Sequence, residues 1–377
     1  MTATPRQELT SELLLDYYDK RGRKLPWREN SDPYRVWVSE VMLQQTRVET
    51  VVPYFNAWIE KFPKLSDLAV ADEESVLNMW EGLGYYSRAR NLLKAIKIVA
   101  EDMDGLVPRD PVKLRTLPGI GEYTANAIAS IAYGEPVPAI DGNLRRVLSR
   151  LFDLSYPSPK ELRSKADLLL NRDRPGDWNQ ALMDLGATVC TSRAPVCEEC
   201  PLEEQCQSRA RGTQGERPIS KSRQPVRSKI HAVVIAVNYK HEFLLRKRPG
   251  NGLLGGLWEF PESEVTREDT ATSVHNDVAC GLGIDMAADQ VELIPLNSVI
   301  HKFSHLKITY KPLLIFSTVQ GSNCKFTDHE YRWVEYNSVK NLPLSVGQQK
   351  LLKHAKEALD LLNMRRWCGV GVFDWPR

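Results

Sequence analysis

No stretch of this 377-residue chain approaches the roughly 18 consecutive apolar residues that a membrane-spanning helix needs, so no membrane partner is expected. The opening, Met1 to Thr10, is polar and lacks the apolar centre of a secretion signal, so the chain is expected inside the cell. Net charge is nearly absent, at +2, and by itself says nothing about nucleic acid. Cysteines are few and odd in number, seven, and four of them are clustered. In an intracellular chain such clustering favours a metal site over a disulfide framework. What remains is a soluble composition, 42% hydrophobic and 26% charged. The chain is too long for one ordinary core, so two or three domains are expected.

Charge is scarce in sum but uneven in place. Between Gln207 and Lys229 stand Arg209, Arg211, Arg217, Lys221, Arg223, Arg227 and Lys229 against the single acid Glu216. A basic strip without apolar periodicity reads first as a solvated linker, and it could also lie along a phosphate backbone. Up to about Cys206 the pattern is helical. Trp37, Val41, Val48, Val52 and Phe55 recur on one apolar face, started by Asp32-Pro33, a capping carboxylate followed by proline. Further helical stretches cover Glu8 to Lys20, Glu73 to Trp80, Arg88 to Asp102, Tyr123 to Tyr133, Asn143 to Phe152 and Trp178 to Val189, with no clear strand.

Beyond the basic strip the period changes. Ile230 to Val237 is a β-branched run, Asn238 to Glu242 is turn-like and Phe243 to Arg248 resumes, which reads as a hairpin. Thr266 to Leu282 and Val346 to Leu362 read as helices. Val291 to Val299, Lys307 to Val319 and Tyr331 to Val334 read as strands. The fold class is therefore multidomain, all-α followed by α+β. The expected boundaries are 1–206, a basic linker over 207–229, 230–362, and a tail over 363–377 with no assigned role.

Four features carry chemistry. Cys190, Cys197, Cys200 and Cys206, with six, two and five residues between them, offer four thiolates, the ligand set of a [4Fe–4S] cluster. Zinc is the alternative, but only one short C-x-x-C pair exists. Cys280, Cys324 and Cys368 are scattered and read as plain thiols. Leu117-Pro118-Gly119-Ile120-Gly121 separates two helical stretches, and amides around Gly119 and Gly121 could point at a phosphate, although a tight helix turn explains the glycines equally. Glu40 sits among Val36, Trp37, Val41 and Leu43, surroundings that raise a carboxyl pKa and suit a general acid. Asp141 precedes a helix and alone would read as a cap. Together the two carboxyls suit cleavage of a glycosidic bond, one protonating the leaving base and the other facing a cationic sugar.

The strings LPWR at 25–28, VSEVMLQQTRVETV at 38–51, WEGLGYYSRARNL at 80–92, LPGIGEYTANAIA and the cysteine spacing resemble the MutY family of the endonuclease III helix–hairpin–helix superfamily. The resemblance implies an adenine DNA glycosylase with an iron–sulfur cluster, acting on double-stranded DNA that holds adenine opposite 8-oxoguanine or, less efficiently, guanine. It implies Glu40 as the acid that protonates adenine, and Asp141 as the sugar's stabiliser or nucleophile, assisted by Tyr123 and Asn143. It implies Gln45 as the residue wedged into the duplex, and Thr46, Leu83 and Tyr85 around 8-oxoguanine. It also implies Trp27, Arg28 and Gln180 as the adenine pocket. Tyr123 stands where lyase relatives carry an amine-bearing lysine, so hydrolysis by water is expected, because tyrosine forms no Schiff base. A monomer is expected, cytoplasmic, at the nucleoid in a bacterial source.

Residues 229–362 resemble the 8-oxoguanine-recognising domain of that family, which is itself similar to Nudix hydrolases. The magnesium-binding acid box is missing: Ser273, His275, Asn276 and Asp277 stand where glutamates are needed, so binding rather than hydrolysis is expected. Phe303, Ser304 and His305 match the family's F-S-H loop and imply contact with 8-oxoguanine. Three alternatives are weighed: a glycosylase-lyase for damaged pyrimidines, a non-catalytic DNA-binding module, and a nucleotide pyrophosphohydrolase. Tyr123, the Glu40–Asp141 pair and the missing acid box argue against them in turn.

Overall fold

The computed structural model describes residues 5–219, 226–250, 252, 254–266, 268–288, 291–303, 306–317, 330–339 and 341–368. By their contacts the residues fall into two units, one of 1–79 with 88–222 and one of 80–87 with 223–377.

The first unit is helical, and its helices begin on a repeated local signal. Asp32, Asp110 and Ser158 each accept a backbone N–H with a side-chain oxygen, and Pro33, Pro111 and Pro159 follow at the first helical position. That pairing satisfies an orphan donor and pre-sets φ for the helix. The helix Pro159–Leu169 carries this signal but is not among the helices read from the sequence. The apolar face from Trp37 to Phe55 proves to be two helices, Pro33–Leu43 and Val48–Lys61. Gln45, in the turn between them, has φ +57°, a left-handed conformation that ends α-helix for an L-residue. The core gathers Leu14, Leu148, Trp178 and Leu182, all at most 1% exposed. Each such burial is worth roughly 1.5–3 kcal/mol.

The second unit is built on a sheet of β1 (Arg227–Val237), β2 (Glu242–Lys247), β3 (Trp258–Glu259), β4 (Glu262–Glu264), β5 (Val291–Pro295), β6 (Val299–Lys302), β7 (Leu306–Ser317) and β8 (Tyr331–Glu335). β1 pairs with β7 in parallel from Arg227 opposite Leu306 to Val237 opposite Phe316, and the other pairings are antiparallel. The buried run Ala232–Val237 shows why one period fails here: the strand is covered on both faces. Val233, Ile235 and Val237 pack with Leu351 and Ala355 of the helix Val346–Cys368. Val234 and Ala236 pack with Ala279 of the helix Ala271–Gly281 on the other face. The stretch read as one strand from Val291 to Val299 divides into β5 and β6 around residues 296–298. The helix read from Thr266 begins at Ala271, because the Thr270 and Ser273 side chains close a capping box.

Candidate active site

Glu40 lies one turn from the end of the helix Pro33–Leu43 and is 4% exposed. Burial pushes its carboxyl up to about 7, against the opposing pull of a hydrogen bond. That bond comes from Tyr123, whose hydroxyl donates to Glu40 Oε2 at 2.5 Å. Burial holds the Tyr123 phenol far above its ordinary range, so it stays a donor.

Asp141 caps the helix Gly142–Leu151: Oδ1 accepts from Leu144 N at 2.7 Å and Oδ2 from Asn143 Nδ2 at 2.8 Å. Burial raises this carboxyl above its usual range, while those donors and the Arg146 charge pull it back. Arg146 Nη2 holds Asn143 Oδ1 at 2.9 Å and Gly186 O at 2.6 Å, which fixes the amide that faces Asp141. The loop ahead of Asp141 hangs on two buried asparagines. Asn126 Nδ2 donates to Pro138 O at 2.9 Å, and Asn179 accepts from Ala139 N at 2.8 Å while donating to Val137 O at 3.0 Å.

Glu40, Tyr123, Asp141 and Asn143 line one cleft of about 660 Å³. Of the residues named from the sequence it brings together Trp27, Arg28, Glu40, Gln45, Thr46, Tyr123, Asp141, Asn143 and Gln180. No lysine is among the residues lining it. A neighbouring groove of about 580 Å³ shares Tyr123, Asp141 and Gly142 and is edged by Arg145, Lys160 and Arg163. Trp27 packs edge-on against Phe55 at 5.4 Å. Arg28 is committed to the fold: Nη1 and Nη2 bind Asp184 at 2.8 and 3.0 Å, and Arg23 Nε binds the same carboxylate at 2.7 Å. Asp184 and Arg23 were missed by sequence reasoning. The available signal was Asp184 one turn beyond Gln180 on a helix that is otherwise buried.

Leu83 and Tyr85 do not line this cleft. They group with the second unit, Leu83 buried and Tyr85 41% exposed with φ +47°. Gly119 and Gly121 lie in the hairpin between the helices Pro111–Leu114 and Glu122–Tyr133. Gly119 has φ +77°, and a Cβ there would stand 2.7 Å from Asn91 Cβ. Gly121 has φ −87° and open space around it. Gly119→Ala should therefore lower stability by about 1–3 kcal/mol in a thermal melt, more than Gly121→Ala, which meets no clash and loses only the N-cap preference for glycine over alanine.

Cys190, Cys197, Cys200 and Cys206 line one small cavity of about 30 Å³ with Val189, Pro195 and Val196 and with Arg150, Glu203 and Arg209. Arg150 Nη1 points at Cys190 Sγ, 3.3 Å away. Burial pushes the Cys200 thiol up to about 12 and raises Cys197 and Cys206. Among the described residues no group of three or more His, Cys, Asp or Glu is drawn together closely enough to hold a metal ion, the four cysteines included. In the basic strip the first cations are paired: Arg209 with Glu198 and Glu203, and Arg211 and Arg217 with Asp153.

In the second unit Phe303 packs on the core and its ring meets His301 edge-on at 4.4 Å. Ser304 and His305 lie outside the described residues. Glu259 and Glu262, just ahead of the missing acid box, are buried and paired with Arg248, Glu259 also with Arg246. His275 is bonded to Lys311 O at 2.8 Å, and Ser273 serves the helix cap.

A helical unit with a glycine hairpin, and with the buried Glu40 and half-buried Asp141 on one cleft, is an arrangement that suits a helix–hairpin–helix glycosylase. The comparisons with known proteins agree. Residues 38–172 match the HhH-GPD superfamily base excision DNA repair protein family, and residues 232–354 match the NUDIX domain family. A thermostable thymine-DNA glycosylase of known structure superposes with a TM-score of 0.52 at 26% identity, covering 55% of this chain and 97% of its own. The adenine DNA glycosylase of Mus musculus is 35% identical over 90% of this chain and 76% of its own length. That of Buchnera aphidicola subsp. Schizaphis graminum is 32% identical over 91% and 97%. The human one is 37% identical over 79% of this chain and 65% of its own. The chain belongs to the adenine DNA glycosylase family, and is a DNA N-glycosylase of base-excision repair.

Proposed function

We propose that this protein extrudes adenine lying opposite 8-oxoguanine, or less efficiently opposite guanine, and hydrolyses its glycosidic bond with water, leaving an abasic site. The observation that carries this reading is the Tyr123–Glu40 hydrogen bond of 2.5 Å in the cleft that also holds Asp141. With Tyr123 donating to Oε2, the proton of neutral Glu40 sits on Oε1, where it can be given to the leaving base. Asp141 has both oxygens accepting N–H bonds, which favour its anion, and it faces the oxocarbenium-like sugar. Neither group can reach a stacked base, so the nucleotide must first leave the duplex. Gln45, exposed at the tip of a left-handed turn, is placed to fill the gap, with Thr46 beside it. Trp27, Arg28 and Gln180 form the adenine pocket, and the Gln180 amide reads a base edge. Tyr123 stands where a lyase would need an amine and forms no Schiff base, so water completes the reaction.

This assignment has a pH signature. Single-turnover adenine release should fall about tenfold per unit above the Glu40 pKa of about 7, as the acid loses its proton. Tyr123→Phe removes a donor that favours the Glu40 anion, so the descending limb should move to higher pH. A limb that stays in place in the variant would contradict the Glu40–Tyr123 assignment.

The hairpin amides at Gly119 and Gly121 bind a phosphate, supported by the helix Glu122–Tyr133, whose start has no side-chain cap. A [4Fe–4S] cluster is assigned to the four cysteines, whose thiolates are its ligand set and which line one cavity with Arg150 beside Cys190. Bound there, the cluster would order the loop 190–206 for DNA binding and supply no redox step. Thr46, Leu83 and Tyr85 with Phe303, Ser304 and His305 surround 8-oxoguanine, and the Nudix-like region binds rather than hydrolyses, because the acid box is missing and Glu259 and Glu262 ahead of it are tied to arginines. Oxidation turns guanine N7 from an acceptor into an N–H donor, which a serine oxygen can accept. Ser304→Ala with His305→Ala should shrink the preference for 8-oxoguanine over guanine by about tenfold in single-turnover release. Unchanged preference would remove this loop from lesion reading. The protein acts as a cytoplasmic monomer, with the regions divided at 1–206, 207–229, 230–362 and 363–377.

A further inference from the structure

We propose that Arg88 is a positioning residue for base extrusion: it clamps the turn Gln44–Thr46 and holds Gln45 in the left-handed conformation from which its side chain enters the duplex. This rests on the wedge role given to Gln45 above.

The last carbonyls of any α-helix lack intrahelical donors, and a glycine beyond the end is a common remedy. The helix that carries Glu40 ends at Leu43 and has no such glycine; Gln44 (φ −56°, ψ 111°) and then Gln45 (φ +57°) follow. The donors come instead from a residue more than forty positions away in sequence. Arg88 Nη1 lies 2.9 Å from Val41 O, 2.8 Å from Met42 O and 2.6 Å from Gln44 O, and Nη2 lies 3.2 Å from Thr46 Oγ1. Thr46 N closes the turn on Leu43 O at 3.2 Å. Arg88 is 8% exposed, whereas Gln45 stands in solvent. One buried planar cation thus joins the end of the Glu40 helix to both sides of the exposed glutamine. The left-handed conformation disfavours an L side chain and persists where the surroundings over-determine it. A lysine keeps the charge but has no rigid fork, so it can serve the carbonyls and not Thr46 as well.

The test separates extrusion from chemistry. A duplex carrying 2-aminopurine beside the target adenine brightens when that adenine unstacks, and stopped-flow fluorescence then times extrusion apart from single-turnover base release. Arg88→Lys should slow extrusion by about tenfold, the scale of one charge-assisted hydrogen bond, with affinity for an undamaged duplex unchanged. Thr46→Val removes the Nη2 partner, together with the long 3.4 Å bond from Thr46 Oγ1 to Gln44 O, and should slow extrusion less; it keeps the test open if Arg88→Lys folds poorly. In the Gln45→Ala background Arg88→Lys should add almost nothing, because both changes act through one side chain. Extrusion at the wild-type rate in both Arg88→Lys and Thr46→Val overturns the proposal, as does an Arg88→Lys effect that persists in full without Gln45. Normal extrusion by Gln45→Ala alone would overturn the wedge role and this proposal with it, whereas slow Gln45→Ala beside normal Arg88→Lys removes Arg88 only.

Discussion

Glu40→Gln should abolish adenine release at neutral pH, by about 10³- to 10⁴-fold in single turnover, while the variant still binds the mispaired duplex. Glutamine keeps the shape and an acceptor for Tyr123 but has no proton to give a leaving base. The same substitution should stabilise the fold at pH 8. Glu40 has its folded pKa raised from 4.5 to about 7 by burial. Between those values the folded state holds more protons than the unfolded one, so this group's contribution to stability falls as pH rises through that window. Above it the buried anion costs on the order of 1–3 kcal/mol, which a neutral amide removes. Thermal melts at pH 5 and pH 8 beside the kinetics check both halves. Activity retained by Glu40→Gln would exclude it as the acid, and equal melting of the two proteins at pH 8 would mean that its burial is compensated.

Asp141→Asn should lower adenine release by about 10²- to 10³-fold with little change in melting temperature. Asparagine is as good a helix cap as aspartate, and its oxygen can still accept Leu144 N, so the capping role survives. What is lost is the negative charge beneath a cationic sugar. In addition, an amide NH₂ placed where Oδ2 stands meets the Asn143 donor instead of accepting from it. Normal kinetics in this variant would reduce Asp141 to a cap.

Much of this site was legible in the sequence because its residues are tied to local signals. Glu40 sits in an apolar helical stretch, Asp141 at a helix start, and the cysteines at readable spacing. Most of the chain's helices and strands were legible from period and caps, although Pro159–Leu169 was missed despite its Ser158 cap, and one apolar face was misjudged where a single backbone conformation decided. Gln45 splits one apolar face into two helices through its positive φ, which no propensity of glutamine announces. The partners that hold the site were illegible for another reason. Asn179, Asp184 and Arg88 act on residues between 40 and 161 positions away, and only folding brings them there. A buried arginine bonded to carbonyls leaves no local pattern in a sequence.

The most direct measurement of the central claim is single-turnover release of adenine from duplexes with A opposite 8-oxoguanine, opposite G and opposite T, each sample divided and half treated with alkali before the gel. The account predicts strand breaks only after alkali, fastest opposite 8-oxoguanine, slower opposite G and absent opposite T. Breaks without alkali would contradict hydrolysis by water and the reading of Tyr123, and equal rates opposite all three bases would contradict recognition of the lesion.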